Sequence, residues 1–237
     1  MGNLQGKNAL ILGGSRGIGA AIVERLVQEK AQTSFTYNAC ASAANELAQR
    51  LGAKAIQADS ADYQAVSNAI HQTGTLDILV VVAGQCVMGN PLEIDPAAID
   101  QMIDVNIRSP YHASVEAAKS MHEGGRIIVV GSVNGDRMPM AGGAAYAMTK
   151  SAIQGMVRGL ARDLGGKGIT VNNIQPGPVD TDMNPESGPM RDTMHSFMAI
   201  KRHARPEEIA GMVAYLTGPE ADMVTGAQLT IDGGFGA

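Results

Sequence analysis

Short apolar runs alternate with longer amphipathic stretches from one end of the chain to the other. The runs lie at 9–12, 33–37, 55–58, 78–82, 126–130, 169–174 and 228–231. Several, such as Ile78-Leu79-Val80-Val81-Val82, are continuously apolar rather than alternating. That is the pattern of strands covered on both faces in a parallel sheet. Between them, helical periodicity predicts helices at roughly 17–29, 41–51, 62–73, 96–121, 145–165 and 206–217. Strand and helix in regular alternation predict a doubly wound α/β fold, with a seven-stranded parallel sheet flanked by helices. No linker, repeat or low-complexity block interrupts the pattern, so residues 1–237 read as one domain. The longest stretch without a clear period runs from Asp180 to Pro206 and is rich in Pro, Gly and Met. An irregular segment of that length inside a compact domain is usually functional, and it predicts a substrate lid over about 183–205.

Composition agrees with this and narrows it. A 45% hydrophobic content in 237 residues is enough for a large core in a single α/β domain. With aromatics at 3%, no Trp and 29 glycines, that core packs helices tightly on the sheet. The formal net charge of −5 argues against a nucleic-acid surface built on bulk positive charge, while leaving room for a local basic pocket. Two cysteines, Cys40 and Cys86, are too few for a disulfide framework and point to a reducing compartment. No basic segment followed by an apolar secretory core opens the chain, and no apolar run approaches the ~18 residues of a spanning helix. A cytoplasmic protein with no membrane partner is expected, and no metal site is expected.

The first candidate chemistry follows the first strand. Gly13-Gly14-Ser15-Arg16-Gly17-Ile18-Gly19 leads directly into a helix. Glycine lets the backbone turn sharply and its amides approach a pyrophosphate, and the helix N-terminus adds partial positive charge for that anion. A tight strand–helix turn without ligand is the alternative, but the cluster sits in the context a dinucleotide requires. Cofactor choice is decided at the 2′ position of the adenosine ribose, where an NAD site places a carboxylate at the end of the second strand. Here that strand ends Phe35-Thr36-Tyr37-Asn38-Ala39, with no carboxylate in the next several residues. Arg16 could pair with a 2′-phosphate, or be an ordinary solvated side chain. The missing acid and present base favour NADPH/NADP+ over NADH.

The second candidate lies beyond the fifth strand, which ends at Gly131-Ser132. Fourteen residues after Ser132 comes Tyr146-Ala147-Met148-Thr149-Lys150, placing Tyr146 and Lys150 on one helix face, and Pro176-Gly177 follows the sixth strand. With Asp104-Val105-Asn106-Ile107, Thr225-Gly226 and Asp232-Gly233-Gly234, these motifs resemble the short-chain dehydrogenase/reductase family over essentially the whole chain. The resemblance implies a Rossmann-type domain and a catalytic tetrad at Asn106, Ser132, Tyr146 and Lys150. In that reading Ser132 hydrogen-bonds a substrate carbonyl oxygen and Tyr146 donates its proton. Lys150 contacts the nicotinamide ribose and lowers the Tyr146 pKa, and Asn106 holds a water in the proton relay.

For the cofactor, the resemblance implies contacts from Gly13, Ser15, Arg16, Gly17, Ile18 and Gly19, from Tyr37 and Asn38, and from Asp59 and Ser60 at the adenine. It further implies cofactor contacts from Ala83, Gly84, Tyr146, Lys150, Pro176, Gly177, Val179 and Thr181, with Val179 and Thr181 in the segment that binds the nicotinamide carboxamide. Asp59 also suits a helix N-cap. Two departures from the family pattern stand out: Gly13 replaces a usual Thr, and Val81 or Val82 stands where an Asn commonly ties strands together, which predicts a looser sheet there. The continuation Asn38-Ala39-Cys40-Ala41-Ser42 is also unusual.

A narrower likeness, carried by 131–139, 188–192 and 198–203, is to bacterial biofilm-dispersal oxidoreductases proposed to bind cyclic di-GMP and to carbonyl reductases acting on prochiral ketones. Ketoacyl-carrier-protein reductases are more distant. Two functions from different classes stay open. One is an NADPH-dependent reductase of ketones or aldehydes; the other is a signalling-ligand binding protein with secondary oxidoreductase activity. The lid residues Met183, Met190, Met194, Phe197 and Met198 could shape an apolar substrate site or merely pack the lid. Arg191, Lys201, Arg202, His203 and Arg205 could attract an anionic ligand or form a solvated face. Small residues on more than one face of the helices near 105–121 and 145–165 predict a homo-oligomer, and the resemblance implies a homotetramer or, failing that, a dimer.

Overall fold

The computed structural model describes residues 4–237. Seven strands form one parallel sheet: β1 (Asn8–Leu12), β2 (Gln32–Tyr37), β3 (Lys54–Gln57), β4 (Ile78–Val81), β5 (Arg126–Val130), β6 (Thr170–Pro176) and β7 (Gln228–Ile231). Their order is β3-β2-β1-β4-β5-β6-β7, so the chain reverses its winding direction between β1 and β4. A crevice opens at the carboxyl ends of the strands at such a reversal, which is where doubly wound sheets hold ligands.

The period-2 geometry of the strands divides the core between the two faces. In β1, Ala9 and Ile11 point to one side and Leu10 and Leu12 to the other. The first face is covered by α1 (Gly17–Gln28), α2 (Ala41–Leu51) and α8 (Pro206–Thr217), through Ile22, Leu26, Leu47, Val213 and Leu216. On the second lie α3 (Tyr63–Gln72), α5 (Ser109–Ser120) and α6 (Ala144–Leu164), through Ile70, Ala113, Ala117, Ile153 and Val157. The small residues of α5 and α6 let these helices sit close to the strands, as the aromatic-poor composition predicts.

The expected helix over 96–121 is divided. α4 (Pro96–Ile103) ends in a π-helical turn over Asp104–Arg108 before α5 begins. A π turn inserts one extra residue, so the side chains on either side no longer share one face. Residues 180–205 are irregular apart from the short helix α7 (Arg191–Phe197), which the sequence pattern did not reveal. The predicted looseness at Val82 is corrected. The backbone N–H groups of Val82 and Ala83 both donate to Leu12 O at 2.9 Å, and β4 pairs along its full length with β1 and β5. Val82 packs on the core, so apolar contact and main-chain bonds replace an Asn tie. Among the described residues no helix is long and apolar enough to cross a membrane.

Candidate active site

The glycine cluster makes the turn between β1 and α1. Gly13 has φ +82°, and a Cβ there would lie 2.8 Å from Ala83 N, closer than real contacts allow. A Cβ on Gly19 would lie 2.1 Å from Gly13 O. Gly13 N donates to Thr36 Oγ1 at 2.9 Å, tying the loop to β2. Arg16 is the N-cap of α1, and its side chain makes no hydrogen bond or ion pair with another described residue. It is an uncommitted cation beside Tyr37 and Asn38, with no carboxylate among the β2-end residues lining the crevice. Asp59 accepts from Ala61 N at 2.9 Å, while Asp62 caps α3, so the N-cap expected of Asp59 belongs to Asp62.

A cleft of about 590 Å³ runs along the carboxyl ends of the strands. Gly13, Ser15, Arg16, Gly17, Ile18, Gly19, Tyr37, Asn38, Asp59 and Ser60 line one end. Ala83, Gly84, Ser132, Tyr146, Lys150, Pro176, Gly177, Val179 and Thr181 line the other. Every sequence-predicted cofactor position is therefore on its wall. Absent glycine side chains leave that wall open as a cradle, which fits an extended dinucleotide.

Ser132 leaves β5 in extended backbone, its Oγ accepting from Asn134 N at 3.1 Å, and the turn that follows is braced by side chains. Gln175 Nε2 donates to Ser132 O at 3.3 Å and to Asp136 Oδ2 at 2.7 Å, and Gln154 Nε2 donates to Asp136 Oδ1 at 2.8 Å. A Cβ on Gly135 would touch Lys150 C at 2.9 Å, so the turn after Ser132 packs directly on α6. Tyr146 stands one helical turn before Lys150, whose Nζ lies 5.7 Å from the Tyr146 ring centroid and donates to Val130 O at 3.4 Å. Burial, with a smaller contribution from the Cys86 thiol, pushes the Tyr146 phenol up to about 12, opposed by its hydrogen bond with Ser132. Burial also pulls the Lys150 ammonium down to about 8. The expectation of a lowered Tyr146 pKa is thus corrected in its net direction: desolvation outweighs the Ser132 hydrogen bond at the phenol.

Asn106, in the π turn, is buried and braced. Its Nδ2 donates to Gln85 O at 2.9 Å and Thr149 Oγ1 at 3.0 Å, and its Oδ1 accepts from Gln85 N at 2.8 Å. Both N–H donors are taken, so only a second Oδ1 lone pair is left for a water. Asn106 does not line the cleft; it fixes the backbone after β4 against α6.

The lid residues separate. Met183 and Met194 line the cleft, whereas Phe197 and Met198 pack on Val133 and Phe235, and Met190 is exposed. The lid cations are mostly spent. Arg191 pairs with Asp192 at 2.8 Å, and Arg202 grips Glu208 through two bonds of 2.8 and 2.7 Å. Lys201 donates to His195 O at 2.8 Å, and Arg205 Nε lies 4.0 Å from Glu208. None of Arg191, Lys201, Arg202, His203 and Arg205 lines the cleft. Sequence reasoning missed Cys86, whose thiol burial pushes up, and Phe235, which closes the cleft near Val133. No spacing marks either one; only the fold brings them there.

A family model described as enoyl-(acyl carrier protein) reductase matches residues 13–236. A solved structure of a Serratia marcescens short-chain dehydrogenase/reductase superposes with a TM-score of 0.97 at 53% identity, covering 99% of this chain and 100% of that one. The chain belongs to the short-chain dehydrogenase/reductase family. Two further matches, one in sequence and one in structure, sharpen its place there. The cyclic-di-GMP-binding biofilm dispersal mediator protein of Escherichia coli K12 is 62% identical over the full length of both chains. The crystal structure of BdcA in complex with NADPH superposes with a TM-score of 0.98 at 62% identity, covering 100% of this short-chain dehydrogenase/reductase and 97% of BdcA.

Proposed function

We propose that this protein is an NADP(H)-dependent oxidoreductase that interconverts a ketone or aldehyde and its alcohol, with Tyr146 moving the proton. One observation carries the reading: Ser132, Tyr146 and Lys150 converge at one end of a cleft whose other end offers a glycine cradle and the unpaired Arg16. Gly13 to Gly19 would hold the pyrophosphate, Arg16 the 2′-phosphate, and Pro176 to Thr181 the nicotinamide end. NADPH, when bound, supplies the hydride to the carbonyl carbon. Ser132 hydrogen-bonds the carbonyl oxygen and orients it toward Tyr146. A phenol held at about 12 is fully protonated at neutral pH and enters the reaction as an acid. Lys150, at about 8, is mostly charged at neutral pH and stabilises the phenolate left when the proton departs. Asn106 positions the strand end behind them, and 183–205 acts as a lid on one catalytic domain. Assembly into a homotetramer through α5 and α6 accords with the exposure of Tyr111 and Met148 on those helices; light scattering that reports a monomer at micromolar concentration refutes it. A panel of neutral ketones, aldehydes and carrier-bound 3-oxoacyl thioesters, followed by NADPH absorbance, tests the activity. No turnover across it refutes the reading.

A second reading, cyclic-di-GMP binding as the primary role, is favoured by the 62% identity to the E. coli dispersal mediator. The lid cations are poor candidates for its phosphates because carboxylates already hold Arg191 and Arg202. Among the described residues, Arg16 and Lys150 are the Lys and Arg side chains lining the cleft. A dinucleotide bound there would therefore compete with NADPH. Micromolar, NADPH-competitive binding by calorimetry together with no turnover makes this second reading the function.

A further inference from the structure

The lid carries a group of side chains that the proposed chemistry does not use. Glu186 lies before α7, His195 on its last turn, and His203 in the segment that returns to α8. One ligand atom from each lies within 4.8 Å of the other two. His195 Nε2 is 2.9 Å from His203 Nδ1 and 3.7 Å from Glu186 Oε1. Two imidazoles and a carboxylate are the donor set of three-ligand zinc sites, at about 2.0–2.2 Å per bond. Bonds of that length in a tetrahedron give ligand–ligand separations of about 3.3 Å. The separations of 2.9 and 3.7 Å bracket that value, so small side-chain rotations bring the atoms onto it.

The surroundings fix the ligands in place. His203 is buried, with 1% of its surface exposed, and its backbone N–H donates to Glu186 Oε1 at 3.2 Å. Asp180 Oδ1 accepts from Glu186 N at 2.8 Å, and Lys201 Nζ donates to His195 O at 2.8 Å. Without an ion, His195 Nε2 and His203 Nδ1 can share one hydrogen, and the carboxylate stands 3.7 Å from His195. A divalent cation would satisfy the three converging atoms at once, and the partly exposed Glu186 and His195 give it a route from solvent.

We propose that Glu186, His195 and His203 form a site for a divalent transition ion of the zinc class, with a water in the fourth position, that clips the substrate lid. The ion closes the segment 186–203 on itself and fixes α7. Met194, adjacent to His195, is on the cleft wall, so occupancy also fixes the apolar side of the substrate site.

The test is zinc titration of the metal-free full-length protein by calorimetry, repeated with Co²⁺ and visible absorption. The expected result is one ion per chain at micromolar affinity or tighter, a four-coordinate Co²⁺ spectrum, and a Tm raised by zinc. His195→Gln and Glu186→Gln, at partly exposed positions that a folded chain tolerates, should each weaken zinc by about 10- to 100-fold or more and remove the Tm rise. Absence of stoichiometric zinc binding overturns the proposal. So does zinc binding that both variants retain, which would place the ion elsewhere, for instance at His71 and Glu116. NADPH affinity, read on the same samples without zinc, should be unchanged in both variants. The lid site can thus fail while the oxidoreductase reading stands.

Discussion

Removing the Arg16 guanidinium tests cofactor choice in a way the cleft geometry makes quantitative. Arg16 is the N-cap of α1, lines the cleft beside Tyr37 and Asn38, and is held by no carboxylate. Its charge is therefore free for a 2′-phosphate, and charge-assisted bonds of that kind contribute about 1.5–3 kcal/mol. Arg16→Ala should then weaken NADPH by about 10- to 150-fold, at 1.4 kcal/mol per decade. NADH lacks the phosphate and should change by no more than about threefold, since the glycine cradle is untouched. The assay is cofactor affinity by fluorescence titration, paired with kcat/KM for each cofactor on one ketone. Equal losses for the two cofactors, or a higher kcat/KM with NADH in the unaltered protein, would refute the assignment of Arg16 and with it the reading of the β2 terminus.

The remaining predictions concern the other end of the cleft and its supports. Lys150 is depressed from 10.5 to about 8, so below pH 8 the fold carries the full cost of burying its charge, and that cost fades as pH rises toward 10.5. Lys150→Met should accordingly stabilise the protein by about 3 kcal/mol at pH 7, and by progressively less between pH 8 and 10.5, while turnover collapses; a Tm lowered at pH 7 contradicts this. Turnover of the unaltered protein should fall as pH rises through about 8, where Lys150 loses its charge, and a rate flat to pH 10 counts against its role. Asn106→Ala leaves Gln85 N and O and Thr149 without their partner and should cost about 3 kcal/mol in urea unfolding; a loss below about 1 kcal/mol refutes the bracing role. Neutralising Arg191 and Arg202 together should leave kcat/KM on a neutral aryl ketone within several-fold, because neither lines the cleft, and a loss beyond about tenfold would show that they reach the substrate.

The strands, the helices covering them and the wall of the cleft were legible in the sequence because each rests on local rules. Continuous apolar runs mark buried parallel strands, glycines mark the turn at Gly13 to Gly19, and Tyr146 and Lys150 lie four apart on one helix. What escaped depends on packing. The π turn at Asp104–Arg108 is invisible to periodicity, since one inserted residue hardly disturbs the pattern of 96–121. The pairing of Arg202 with Glu208 needs the lid to fold back on α8, so the basic cluster of 191–205 looked available when it was not. Glu186, His195 and His203 are spaced nine and eight apart, a pattern of no regular element, and meet only through the path of the lid. The Tyr146 phenol was read from its cationic neighbour alone, whereas its burial decides the direction.

Tyr146→Phe tests the central claim most directly. Its hydroxyl is the only group removed, the ring keeps its place beside Lys150, and the cofactor cradle is untouched. Turnover of a ketone substrate should fall by at least about 100-fold, the scale of general acid catalysis, while NADPH binds within about threefold of its normal affinity. A Phe variant that reduces the ketone at near-normal rate would contradict the account.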